Sequence, residues 1–129
     1  MGFMARQVEP RETLAEAAVR LPIDRVHLAR YTMGNVPLEI EILGLFAGQA
    51  PSTFAQLSEA RTDKAWRDAA HTLKGSARAV GAWRVAEYAE RVEALTGTMD
   101  ELARQAGLQA LHAALAETSA YIGDLDQCG

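Results

Sequence analysis

Proline stops early in this chain, and that limits the fold more than any other feature. Pro10, Pro22, Pro37 and Pro51 are its only prolines, so from Ser52 to the end no residue forbids a long helix. Alanine occurs 25 times in 129 residues, while aromatics make up 6%. Alanine has the best helix propensity, and strands prefer branched and aromatic side chains, so the expectation is an all-α protein. A chain of 129 residues holds one domain with a single core. It is too short for a kinase catalytic domain, a barrel enzyme or a two-lobed nucleotide-binding protein. No apolar run is long enough to span a bilayer. The opening Met-Gly-Phe-Met-Ala-Arg soon turns charged and has Arg6 where a myristoylation signal would need Ser or Thr, so neither a signal peptide nor myristoylation is expected. Cys128 is alone and cannot form an internal disulfide, so a cytoplasmic protein is expected.

Local signals divide the chain into helices. A short helix is expected near 11–20, a connector through Pro22, and a further helical turn over 23–31. Asn35 is an N-cap, and Pro37 lies in the first turn of a helix running to about Ala47, with Val36, Ile40, Leu43 and Ala47 on its buried side. Pro51 opens another helix to about Arg61, with Phe54, Leu57 and Ser58 facing inward. Thr62 and Asp63 start a long helix that ends near Val80 and is punctuated by Gly81. The next helix covers 82–95, with Ala82, Val85, Ala86, Ala89 and Val92 inside and Arg84, Glu87 and Arg91 outside. Thr98 and Glu101 form a capping-box pattern for the last segment. Leu108, Leu111, Leu115, Thr118 and Ile122 make its apolar stripe, and Gly107 either divides that segment or lies within one helix. Short connections imply neighbours of opposite direction. The expected architecture is an antiparallel up-and-down four-helix bundle with short additional helices at the N-terminal end. Residues 1–22 form an extension and 23–129 the bundle.

Net charge is −4, so the molecule as a whole has no general attraction for nucleic acid. The charge is nevertheless uneven. Residues 64–84 carry Lys64, Arg67, Lys74, Arg78 and Arg84 against one acid, Asp68, while the remainder holds eight basic and sixteen acidic residues. On a wheel at about 100° per residue, Lys64 and Arg78 fall within roughly 20° of His71, Arg67 and Gly75 near 40°, and Lys74 near 60°. Trp66, Ala69, Leu73, Ala77 and Val80 collect on the opposite side. One face is therefore core, and the other is a cationic strip centred on a histidine. Gly75 is the odd residue, because glycine inside a helix costs roughly 1 kcal/mol relative to alanine. On a solvent face it serves no packing need. It removes the side chain that would lie beside the imidazole four residues back, so a large partner can approach the ring. Lys74 supplies a positive charge that can neutralise an anion on the ring, and flanking cations favour the uncharged, nucleophilic imidazole. These are the needs of reversible histidine phosphorylation.

Ala70-His71-Thr72-Leu73-Lys74-Gly75-Ser76-Ala77, followed by Val80-Gly81-Ala82, Val85-Ala86 and Val92-Glu93, resembles the signature of histidine-containing phosphotransfer (HPt) domains. Upstream, Ile23-Asp24 and Tyr31-Thr32-Met33-Gly34-Asn35 through Leu45-Phe46 are similar to the family's first helices, and the resemblance covers roughly 23–122. Val85 and Val92 stand where leucine is commoner. The resemblance implies a phosphorelay carrier in two-component signalling. His71, through Nε2, would accept a phosphoryl group from an aspartyl phosphate on a receiver domain and pass it to another. Lys74 would counter the phosphate charge and Gly75 would permit docking. The carrier would be no kinase, having no ATP site and binding no cofactor, with Mg²⁺ held by the partner receiver. Its partners would be receiver domains of a hybrid histidine kinase or of response regulators. It would be monomeric, so that the histidine face stays uncovered. Lys64, Arg67 and Arg78 would form the docking strip for an acidic active site, with apolar residues, those of the 36–47 helix among them, completing the contact.

Competing readings are weaker. His27 and His112 read as surface histidines without a task, Trp66 and Trp83 as packing, and Ser76 as an inward residue bonded to a carbonyl one turn back. The Asp-x-x-His pairs Asp24/His27 and Asp68/His71 could begin a metal site, but basic neighbours would repel a cation. Nucleic-acid binding lacks interleaved aromatics or polar base readers. The serious rival is a helical adaptor that docks on a receiver without carrying phosphate.

Overall fold

The computed structural model describes residues 21–128, and the helix expected near 11–20, with most of the 1–22 extension, lies outside them. Among the described residues there are five helices and no strand: α1 (Arg25–Thr32), α2 (Val36–Ser58), α3 (Asp63–Val80), α4 (Trp83–Glu93) and α5 (Glu101–Cys128). No helix among them is long and apolar enough to cross a membrane. The four longer helices touch in a closed cycle, α2 on α3, α3 on α4, α4 on α5 and α5 on α2, with α1 laid across α2 and α3. Leu43, Phe46, Leu57, Trp66, Leu73, Val85, Val92, Leu111 and Ile122 fill the space between them.

The helix starts follow capping chemistry. The Asp24, Asn35 and Thr62 side chains accept from the amides of His27, Leu38 and Ala65 and open α1, α2 and α3. At the other end of α3, Gly81 turns left-handed at φ 80°. The Ala82 amide donates back to the Ala77 carbonyl at 2.8 Å, which satisfies one of the last carbonyls of α3. Glycine is required there twice over. A Cβ at 81 would sit 2.9 Å from the Asp24 carbonyl oxygen, in the place where the Asp24 amide donates to the Gly81 carbonyl. Trp83 closes the same corner by donating its indole N–H to Asp24 Oδ2 at 2.8 Å.

Four local expectations are corrected. Pro51 does not open a helix; it lies inside α2, facing outward. Proline removes one ladder bond and crowds the preceding turn, yet Leu43, Phe46 and Ala50 before it and Leu57 two turns after Ala50 remain buried, with Phe54 partly buried between them. Packing on both sides holds one face continuous through the break. That face also rotates Val36 outward and brings in Glu39, whose buried carboxylate accepts from the Thr32 hydroxyl at 2.8 Å and from Arg25 at 3.3 Å. Ser58 is likewise exposed. Asp100, not Thr98, caps α5 by accepting from the Ala103 amide. Gly107 lies within a continuous α5, where a Cβ would meet Val92 Cγ2 at 3.2 Å and Leu95 Cδ1 at 3.4 Å.

Candidate functional site

Leu73 and Ala77 are buried on the core side of α3, and this orients the opposite side outward. His71 projects from that outer side with 70% of its side chain exposed. Gly75 lies one turn further on, and no atom lies within 4 Å of where its Cβ would be. Lys74 is different. It bends across to α4 and is largely covered, donating from Nζ to Glu93 Oε1 at 2.6 Å. The second oxygen of that carboxylate, Oε2, lies 3.2 Å from His71 Nδ1. One carboxylate thus bridges the histidine and the lysine.

The charge state of Glu93 decides what the ring can do. The hydrogen bond from Lys74 and the Lys74 charge outweigh partial burial and hold the Glu93 carboxyl below its ordinary range. Near neutral pH it is an anion that can only accept, so the proton of an uncharged His71 ring sits on Nδ1 and points at Oε2. Nε2 then carries the lone pair. This differs from a ring flanked by cations alone, since the charged group bonded to the imidazole is an anion and the nearby cation is bound to the same anion.

The cationic strip needs the same correction. Lys64 pairs with Asp68 at 2.5 Å, and this bond lowers the Asp68 pKa. Arg78 pairs with Glu90 at 3.5 Å, and Arg84 with Glu117 at 2.6 Å. Asp68 of α3 itself and acids from α4 and α5 therefore meet the basic residues of α3 and α4, and of the basic residues in 64–84 only Arg67 lacks an ion pair among the described residues. Beside the histidine face, offset by one residue around α3, an open groove of about 250 Å³ separates α2 from α3. Ile42, Leu45, Thr72, Ser76 and Ala79 line it, and Leu45 is 61% exposed. Ser76 points into this groove instead of into the core, because the row through Leu73, Ala77 and Val80 takes the buried side.

The family model for the Hpt domain matches residues 41–121, which include the histidine, the lysine, the glycine and the bridging glutamate. The chain belongs to the Hpt family. No curated protein and no solved structure matches it. Hpt domains act as phosphotransfer carriers in two-component signalling, are not kinases, and interact with receiver domains in phosphorelays.

Glu93 is the residue of this Hpt site whose role the sequence alone did not suggest. It sits within the matched motif, 22 positions after His71, but no helical periodicity links residues on two different helices. His27 also departs from its expectation. It is half-buried, with its ring 4.9 Å from that of Trp83 and 5.2 Å from that of Tyr31. Asp24 is engaged by His27 N and Trp83 Nε1, and no cluster of three or more metal-ligating side chains occurs among the described residues.

Proposed function

We propose that His71 is the phosphoacceptor of this Hpt domain and that it relays a phosphoryl group between receiver domains. The observation that carries this reading is the triad itself: an exposed imidazole whose Nδ1 faces an ionised carboxylate, with the approach beside it cleared at Gly75. In the forward step the Nε2 lone pair attacks the phosphorus of an aspartyl phosphate. The P–O bond to the aspartate breaks, the N–P bond forms, and the aspartate leaves as a carboxylate. The ring becomes a phosphorylated imidazolium that keeps its proton on Nδ1. Glu93 stabilises the positive charge that develops there, as a preoriented acceptor does in a partly dry site. Lys74 opposes the phosphate charge from the other side of the same carboxylate. Mg²⁺ and the acidic pocket belong to the receiver.

The antiparallel four-helix bundle is part of this reading, supported by the closed cycle of helix contacts and the short connections. So is a monomeric carrier that leaves the His71 face open. The α2/α3 groove supplies the apolar part of the docking surface, and Arg67 supplies its free charge.

The test mixes a receiver phosphorylated on its aspartate with this protein, in the presence of magnesium and without ATP. An acid-labile, base-stable phosphate should appear on the wild type and not on His71→Gln, which lies on the solvent side and should fold normally. Transfer retained in His71→Gln would overturn the assignment. Tight receiver binding without phosphate would make the protein a docking adaptor.

A further inference from the structure

Glu93 is the last residue of α4, a position where helices fray unless their final carbonyls find partners. Here the carbonyls flanking it are tied down from two other helices. The Val92 carbonyl accepts from the Leu95 amide and also from the buried Trp66 indole at 2.8 Å. The Leu95 carbonyl accepts from the Thr98 amide and from Arg104 Nη2 at 3.4 Å. The two side chains also support each other, since the Arg104 guanidinium lies over the Trp66 ring at 4.4 Å and is anchored to Asp63 at 3.3 Å. Gly107 lets α5 approach so closely that a Cβ would crowd both Val92 and Leu95.

Trp66 and His71 ride on the same helix, five residues or roughly 7.5 Å apart along its axis. The end of α4 is thus cross-linked to α3 at two levels. One link is the indole to Val92; the other is His71 and Lys74 to Glu93. We infer that Trp66 and Arg104 are positioning residues for phosphotransfer: by pinning the Val92 and Leu95 carbonyls they hold Glu93 against His71 Nδ1 and so keep Nε2 as the free nitrogen. This rests on the reading of His71 as phosphoacceptor for its rate consequence, but not for its structural one.

Trp66→Phe keeps the aromatic body and removes only the N–H donor. In the full chain labelled with ¹⁵N-histidine, the uncharged wild-type His71 ring should be mainly the Nδ1–H tautomer, and the variant should move toward a mixture. Phosphorylation by phosphoramidate, a donor too small to need the docking surface, should slow about two- to tenfold, the range set by loss of one hydrogen bond. In a Glu93→Ala background the same substitution should change the rate by less than about 1.5-fold, because the group it positions is gone. Arg104→Met removes the other anchor with Trp66 intact and should act in the same direction. It also serves as the test if Trp66→Phe does not unfold cooperatively. An unchanged tautomer in a folded variant, or an equal rate loss with and without Glu93, would overturn the inference. If no variant and no wild type accepts phosphate, the phosphoacceptor reading fails, while the tautomer measurement still decides whether the clamp exists.

Discussion

If His71 is the phosphoacceptor proposed above, substitution of Gly75 should move stability and function in opposite directions. The residue lies inside the 18-residue α3, with nothing within 4 Å of the position a Cβ would take. Gly75→Ala therefore gains helix propensity without a clash, about 1 kcal/mol. For a domain of this size that should raise the melting temperature by roughly 3–6 °C. Gly75→Leu should also melt no lower than the wild type, since its side chain extends into solvent. Helix side chains lean toward the N-terminus and over the residue four positions back, so the leucine would lie beside the His71 ring. On the proposed mechanism a receiver would bring its aspartyl phosphate within bonding distance of Nε2 and could not avoid that side chain. Phosphoramidate can. The assay compares both donors on wild type, Gly75→Ala and Gly75→Leu, with thermal unfolding of each. Receiver-dependent transfer should fall at least about tenfold in the leucine variant, equivalent to roughly 1.4 kcal/mol in the barrier. Phosphoramidate labelling should change by less than about threefold, or 0.6 kcal/mol. Equal losses with both donors would mean that the substitution damages the ring's chemistry instead of its access. Unimpaired receiver transfer would refute the steric argument altogether, and a lowered melting temperature for Gly75→Ala would refute the solvent-facing placement.

Other outcomes follow from the same geometry. The Glu93 carboxyl is held below its ordinary value of 4.5 in the folded state, so its pairing contributes stability that is present above that value and lost as pH falls through the lower folded one. Glu93→Gln should accordingly be less stable than wild type by about 1 kcal/mol at pH 7, with the gap closing as unfolding is followed into acid; a gap that widens in acid would reverse the sign. Gly81→Ala forces a left-handed alanine and pushes a Cβ to 2.9 Å from the Asp24 carbonyl. It should cost at least about 2 kcal/mol in chemical denaturation, and a neutral result would show that the corner can relax. Because acids pair Lys64 and Arg78, receiver association should slow by less than about threefold between 50 and 500 mM salt, where an unpaired cationic strip would lose tenfold or more. A steep salt dependence in stopped-flow mixing would restore electrostatic steering.

Much of this was legible from residues close in sequence. Asn35 and Thr62 open helices because a side-chain oxygen reaches an amide three residues on, and Gly81 ends one because glycine accepts φ 80°. The Leu108, Leu111, Leu115, Thr118 and Ile122 stripe is buried as its period implies. His71 and Gly75 occupy the outer side of α3 because Leu73 and Ala77 claim the inner one. Each of these signals acts within one or two helical turns, where backbone geometry fixes which residues are neighbours.

What the tertiary structure decided lies between helices. The spacing of Lys64, Arg67 and Arg78 placed them near His71, and Asp68 one turn on from Lys64 was legible as its partner, but that Arg78 meets Glu90 and Lys74 meets Glu93 depends on how α4 is rotated against α3. Pro51 reads as a break, yet packing through Leu43, Phe46, Ala50 and Leu57 carries α2 across it. Glu93 meets His71 and Lys74 only where the end of α4 approaches α3, beside the Val92 and Leu95 carbonyls that bond Trp66 and Arg104. Sequence thus determined which residues share a helix face, whereas the contact that sets Glu93 against His71 Nδ1 required the approach of a second helix, whose rotation is set by the packing of the whole core.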